Sequence, residues 1–178
     1  MAPKDWYKAY LTNPAEVEIE GLESFEKQTY RNRCLIGGTK DGCSEGIRLT
    51  VPVKKVEHKQ LTRDIEISYQ TRWQHQHWIS LVSAYGQTPF FDYYAEFFKP
   101  FYEKETKWLW DLNNGLHEVI CSLLSNERPS DFSRQPSAFS YRPTSDWSGK
   151  ELNSWYGTGK SILDTLFEYG NETKDKLE

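Results

Sequence analysis

The chain has 178 residues, a formal net charge of -4 and a sequence pI of about 5.7. This length predicts one domain, over residues 1–178, with a core large enough to need neither metal nor disulfide. The acidic balance excludes attraction to nucleic acid or to an anionic membrane surface through the overall charge of the chain. Any site for an anion must therefore be a local cluster of cations.

Alternating polar and apolar residues in the first half of the chain predict short β-strands. The predicted elements are a helix at residues 5–11 and strands at residues 17–19, 31–36, 47–53 and 64–69. A Gly-rich run at residues 37–46 separates two of these strands. It lacks the spacing and the trailing Lys-Ser or Lys-Thr of a phosphate-binding loop, so it predicts a hairpin connection.

Helical spacing of apolar residues dominates the second half of the chain. The predicted helices run from residue 71 or 72 to 85, from 88 to 100, from 108 to 124 and from 161 to 168. Gly86 ends the first of them. Thr88 and Pro89 suit the N-cap and the first helical position of the second helix, which Pro100 kinks or ends.

Strands in the first half followed by helices in the second predict an α+β fold, or a mixed α/β fold. We expect a small sheet, mixed or antiparallel, that is packed by helices mainly from the C-terminal half. Residues 125–159 are rich in Ser, Pro and Asn and predict an extended loop.

The cysteines and the terminus bear on the compartment of the protein. Cys34, Cys43 and Cys121 have no CxxC spacing, and two of them lie among apolar residues, which predicts free thiols in a reducing compartment. The N-terminus has no apolar run of signal-peptide length, and no stretch reaches the length of a membrane span. We therefore predict a cytoplasmic protein with no membrane span, no metal site and no cofactor.

The run from Lys27 to Arg33 concentrates cations, amides and hydroxyls directly before an apolar strand. Because arginine offers two parallel N–H groups to a carboxylate or phosphate, Arg33 and Lys27 are candidate anion ligands, and Asn32 is a candidate for orienting a neutral group. The alternative is a solvated face whose cations pair with Glu23, Glu26 or Asp64. Strand alternation separates Asn32 from Arg31 and Arg33, so the candidates meet only at a bulge or a sheet end.

His77 lies one helical turn after Trp73 on the predicted packed face, and it is the candidate general base. A satisfied structural histidine is the alternative. His75 and His77 point to opposite sides of a helix, so they cannot share a metal. Tyr85 either lines a pocket or closes the helix end, and capping or surface roles are favoured for Asp92, Asp111 and Asn113.

Four blocks of sequence resemble the WbqC-like family of bacterial proteins, and residues 161–167 look like the closing helix of that family, so that the resemblance covers nearly the whole chain. The four blocks are Phe-Glu-Lys-Gln-Thr-Tyr-Arg-Asn-Arg-Cys at 25–34, Leu-Thr-Val-Pro-Val at 49–53, the segment from Trp73 to Tyr94, and residues 109–113 with Ile-Cys at 120–121. The resemblance includes Lys27, Asn32, Arg33 and His77. The N-terminal strand and Tyr/Pro turn typical of the family have no counterpart, which predicts a truncated and inactive member as one alternative.

The resemblance implies a transferase of surface-polysaccharide, O-antigen-type, biosynthesis that transfers a glycyl or aminoacyl group to a sugar. Its partner would be a small molecule, either a nucleotide-sugar or an activated amino acid. This hypothesis predicts one pocket where strand 31–36 meets helix 73–85. A non-catalytic module that binds a sugar or a partner predicts instead an exposed aromatic patch with no buried titratable group.

Overall fold

The computed structural model describes Tyr7, residues 21–37 and 46–124, and residues 162–169. The elements in chain order are strands β1 (Arg33–Ile36) and β2 (Ile47–Thr50), a 3-10 turn (Thr62–Asp64), and helices α1 (Trp73–Tyr85), α2 (Phe91–Glu103), α3 (Leu109–Leu124) and α4 (Ile162–Tyr169). The fold is α+β, with an antiparallel sheet in the N-terminal half and helices after it. The predicted elements at 5–11 and 17–19 and the predicted loop at 125–159 lie outside the described residues, apart from Tyr7.

The predicted strand at 31–36 begins two residues late, because a turn precedes it. The backbone N–H groups of Asn32 and Arg33 both donate to the carbonyl of Thr29, at 3.2 and 3.0 Å, and Gln28 has a left-handed φ of 69°. β1 then pairs with β2 in antiparallel register, from Arg33 opposite Thr50 to Ile36 opposite Ile47. Asn32 therefore lies at the end of the sheet and not inside a strand.

The predicted strand at 64–69 is an extended segment joined to its neighbours by isolated bridges. Ile65 and Ile67 are buried and the side chain between them is half-buried, as the alternation predicts. On one side Ser68 N–H donates to the carbonyl of Pro52, at 2.9 Å. On the other side Ile67 N–H donates to the carbonyl of Lys107, also at 2.9 Å. The segment thus links the sheet region to the start of α3.

Helix α1 presents one buried stripe to the core, made of residues spaced four apart: Trp73, His77, Leu81 and Tyr85. Side chains four residues apart lie on one face of a helix, so this stripe follows directly from the sequence. The helix ends before Gly86, as predicted. Gly86 has a right-handed φ of -59°, so the end does not depend on a left-handed glycine.

Helix α2 begins one turn later than predicted. The hydroxyl of Thr88 donates to the carbonyl of Tyr85, at 2.6 Å. It therefore provides a hydrogen bond for the last carbonyl of α1 and does not cap α2. The first helical residue is Phe91, after an N-cap without a side-chain hydrogen bond. The helix continues through Pro100 to Glu103, so the proline does not end it.

Helix α4 docks on α1 and α2 through Phe167. The centroid of the Phe167 ring lies 4.8 Å from that of Tyr85 and 5.3 Å from that of Phe91. Phe167 is fully buried, and so are Tyr94 and Phe98 beside it. These three rings therefore belong to the core. No described helix combines the length and the apolar character needed to cross a bilayer.

Candidate functional site

A small cavity lies where β1 and β2 meet α1, with side chains of α2 and α3 closing it. Its polar lining comes from four elements. Arg31 and Asn32 lie on the turn before β1, and Arg33 begins β1. Trp73 and His77 lie on α1, and Asn113 lies on α3. The rest of the lining is Cys34, Leu49, Val51, Tyr102, Leu112 and Leu116. The cavity offers about 20 Å³ to the centres of water-sized groups, which is room for one or two small polar groups.

Two hydrogen bonds to Val51 hold Asn32 at the end of the sheet. Its side-chain Nδ2 donates to the carbonyl of Val51 at 3.3 Å, and its own carbonyl accepts from Val51 N–H at 2.8 Å. The residue is only 7% exposed. Its Oδ1 atom is buried and has no hydrogen-bond partner among the described residues. The turn at Thr29 brings this side chain to the same cavity as Arg33, which regular strand alternation would forbid.

The two arginines of the run have different roles. Arg31 Nε donates to Glu23 at 2.7 Å, and its guanidinium forms an ion pair with the same carboxylate. Arg33 forms no ion pair with any carboxylate in the described part of the chain, and its buried Nε has no hydrogen-bond partner there. The interpretation as an ion pair therefore holds for Arg31, whereas Arg33 lies beside the cavity without a carboxylate partner among the described residues.

His77 is buried, with 7% of its surface exposed, and its Nε2 lies 3.1 Å from the carbonyl of Thr50. A carbonyl only accepts, so Nε2 carries the hydrogen and the lone pair is on Nδ1. Burial lowers the pKa of His77 to about 4, because it removes hydration from the imidazolium, and the bond to Thr50 opposes this only in part. The ring is neutral at neutral pH.

Trp73 is a candidate that the sequence did not single out for chemistry. Its side chain is 3% exposed, its ring packs edge-on against His77 with centroids 5.1 Å apart, and it lines the cavity. Its Nε1–H is buried without a partner among the described residues, whereas a buried indole N–H is usually hydrogen-bonded. The one sequence signal for this residue is its place one turn before His77 on the same stripe.

Two further lining groups, the thiol of Cys34 and the hydroxyl of Tyr102, are unreactive at neutral pH. Burial raises the pKa of the Cys34 thiol, and it raises the pKa of the Tyr102 hydroxyl far above its usual range. Both groups therefore stay protonated at neutral pH and neither is a nucleophile there. Asn113 does not cap a helix: its Nδ2 donates to the carbonyl of Arg31 at 2.7 Å and fixes the turn against α3.

Two of the predicted site residues lie elsewhere. Lys27 is exposed on the turn before β1 and does not line the cavity. Tyr85 is two helical turns beyond His77, about 12 Å along the axis. Its hydroxyl donates to Asp164 Oδ1 at 2.5 Å and accepts from Gly37 N–H at 3.0 Å. This tyrosine ties the end of β1 to α4, in keeping with the interpretation that it closes the helix end.

The comparisons with known proteins identify the family of the chain. The model of the WbqC-like protein family matches residues 21–140, which include the cavity and all the predicted site residues. Searches of the curated proteins and of the solved structures found no significant match. Within the described residues, no group of His, Cys, Asp and Glu side chains is placed to hold a metal ion. The match spans two thirds of the chain, and the protein belongs to the WbqC-like protein family.

Proposed function

We propose that this protein is a transferase of bacterial surface-polysaccharide biosynthesis that moves a glycyl or other aminoacyl group onto a sugar. The observation that carries the proposal is that Asn32, Arg33 and His77 line one cavity, although His77 follows Arg33 by 44 residues in the chain. A cation without a carboxylate partner in the described part of the chain, an amide and a neutral imidazole line one cavity, and such a set suits acyl transfer. The small-molecule partners would be an activated amino acid and a sugar nucleotide.

In the proposed reaction a hydroxyl or amino group of the sugar attacks the acyl carbon. The new C–O or C–N bond forms as the bond to the leaving group of the acyl donor breaks. Nδ1 of His77 accepts the proton of the attacking group, and the proton then passes to the leaving group. Arg33 binds the negative charge that develops on the acyl oxygen, and Asn32 orients the acyl group.

The size of the cavity limits what it holds. Pockets that enclose a drug-sized ligand have volumes of roughly 300–1,000 Å³, and this cavity has about 20 Å³. It therefore accommodates the reacting acyl group alone, with the sugar and the nucleotide outside it. Lys27, exposed on the turn before β1, is the candidate to contact such an external anionic group.

The test is transfer of radiolabelled glycine from activated donors to a panel of sugar nucleotides, with wild type, His77→Gln and Arg33→Ala. Gln retains an N–H donor for the Thr50 carbonyl but has no basic nitrogen, so we expect transfer to fall at least 100-fold. The matched control is Arg48→Ala, which removes the same charge from an exposed position on β2. No transfer by wild type would refute the transferase, and transfer that survives in both His77→Gln and Arg33→Ala would refute the roles given to these two residues.

The second candidate is a non-catalytic module that binds a small polar group. The low pKa of His77 favours it, since an imidazole with a pKa of about 4 is a weak base. The exposed rings of Phe90 and Tyr93 fit it also. The burial of His77 and Asp164 counts against this function, because a non-catalytic module predicts no buried titratable group. Ligand-dependent stabilisation without transfer of label, in wild type, would favour this function.

A further inference from the structure

Three buried polar atoms without a hydrogen-bond partner belong to residues that line the same cavity. They are Asn32 Oδ1, Arg33 Nε and Trp73 Nε1, and no other buried side-chain nitrogen or oxygen in the described part of the chain is unpartnered. Buried polar groups are nearly always paired, because leaving one unpaired destabilises the fold. The three atoms belong to residues of one cavity lining, which makes this cavity the candidate place for a group that would pair with them.

The three atoms form a specific pattern of two donors and one acceptor. The Nε groups of Trp73 and Arg33 can only donate. The amide of Asn32 is oriented by its bond from Nδ2 to the Val51 carbonyl, because the flipped amide would place two oxygens against each other. Its Oδ1 therefore needs a donor from the ligand.

We propose that Trp73 and Asn32 are ligand-binding residues and that the cavity takes a small carbonyl group with a hydrogen-bond donor on a neighbouring atom. Its oxygen accepts from Trp73 Nε1–H and Arg33 Nε–H, and its N–H or O–H donates to Asn32 Oδ1. The inference rests on the proposed function for the location of the site, and it adds the chemical class of the group that the cavity recognises.

The pattern excludes two other classes of ligand. A metal cation is repelled by two N–H donors and by the charge of Arg33, whereas phosphate as a dianion offers no hydrogen to Asn32. A bound water molecule accepts from two donors and donates to one acceptor, so it satisfies the pattern, and it is the competing occupant. The ligand displaces that water only if it reproduces all three hydrogen bonds.

The experiment follows the indole N–H signals of ¹⁵N-tryptophan-labelled protein by NMR during titration with acetamide. Sodium acetate, which lacks a donor, and inorganic phosphate are the comparison probes. Trp73→Phe assigns the signal by its absence, and if that variant does not fold, nuclear Overhauser contacts to the His77 ring assign it in wild type. We expect acetamide to shift the Trp73 signal saturably, and acetate and phosphate to bind at least tenfold more weakly.

In Trp73→Phe, which lacks the indole signal, binding is followed by thermal stabilisation with acetamide, and it should be about tenfold weaker than in wild type, the change expected for one lost hydrogen bond. Trp108→Phe, at a tryptophan that does not line the cavity, is the matched control and should bind as wild type does. No saturable shift with acetamide would overturn the inference and leave water as the occupant, whereas tighter binding of phosphate would overturn it in favour of an anion site. Glycyl transfer without an indole shift would leave the proposed function standing, whereas an indole shift without transfer would reject the transferase alone.

Discussion

Replacing His77 by Gln tests whether burial keeps this imidazole neutral, and its effect on stability follows from the pKa. The pKa of His77 is about 4 in the folded protein, whereas an unfolded histidine titrates near 6.5. Since the folded value is the lower one, the unfolded chain binds its proton first, and the free energy of unfolding decreases as the pH falls from about 6.5 towards 4. At about 1.4 kcal/mol per pKa unit, this histidine removes about 2 kcal/mol of stability between pH 7 and pH 5.

The assay is urea-induced unfolding of wild type and His77→Gln at pH 7 and pH 5. The variant should lose about 2 kcal/mol less than wild type between the two pH values, because Gln does not titrate. Burial also lowers the pKa of His117 to about 4, but this residue is present in both proteins and cancels in the comparison. His75→Gln, exposed on the same helix, is the control and should keep the wild-type pH dependence. Equal losses in wild type and His77→Gln would refute burial as the cause.

Three further predictions follow from packing and local chemistry. Phe167→Ala should lower the free energy of unfolding by about 3–5 kcal/mol, as measured in urea, because α4 docks through this ring, while Phe90→Ala at an exposed ring should cost less than 1 kcal/mol. Tyr85→Phe should cost about 1–3 kcal/mol in the same assay by removing a buried donor to the carboxylate of α4, and an unchanged stability would contradict that bond. Cys34 should resist alkylation by iodoacetamide at pH 8 in the native protein and react in urea, as followed by peptide mass spectrometry, because burial raises its pKa.

The sequence alone determined the elements that depend on local periodicity. The four-residue spacing from Trp73 to Tyr85 gave the buried stripe of α1, and the alternation around Ile65 gave the buried face of that segment. Both follow because the faces of helices and strands repeat with fixed periods. The order of strands and helices likewise gave the α+β class, and Gly86 marked the end of α1.

Only the tertiary structure decided how the site residues meet. Glu23, eight residues before Arg31, pairs with that arginine and leaves Arg33 without a carboxylate in the described residues. The turn at Thr29 places Asn32 at the sheet end, so that it reaches the same cavity as Arg33. Strand alternation predicts neither outcome, because the ion pair joins residues eight apart in the chain and the turn at Thr29 interrupts the strand pattern before Arg33.

The chemistry of the site was likewise decided by burial. The neutrality of His77 and the unpartnered N–H of Trp73 exist because α1 packs on the sheet and removes water from both groups. A sequence identifies which side chains can titrate or donate a hydrogen bond. Desolvation and the identity of the partner depend on residues distant in the chain, so the tertiary structure alone sets the pKa of a histidine and the hydrogen bonds that a ligand must complete.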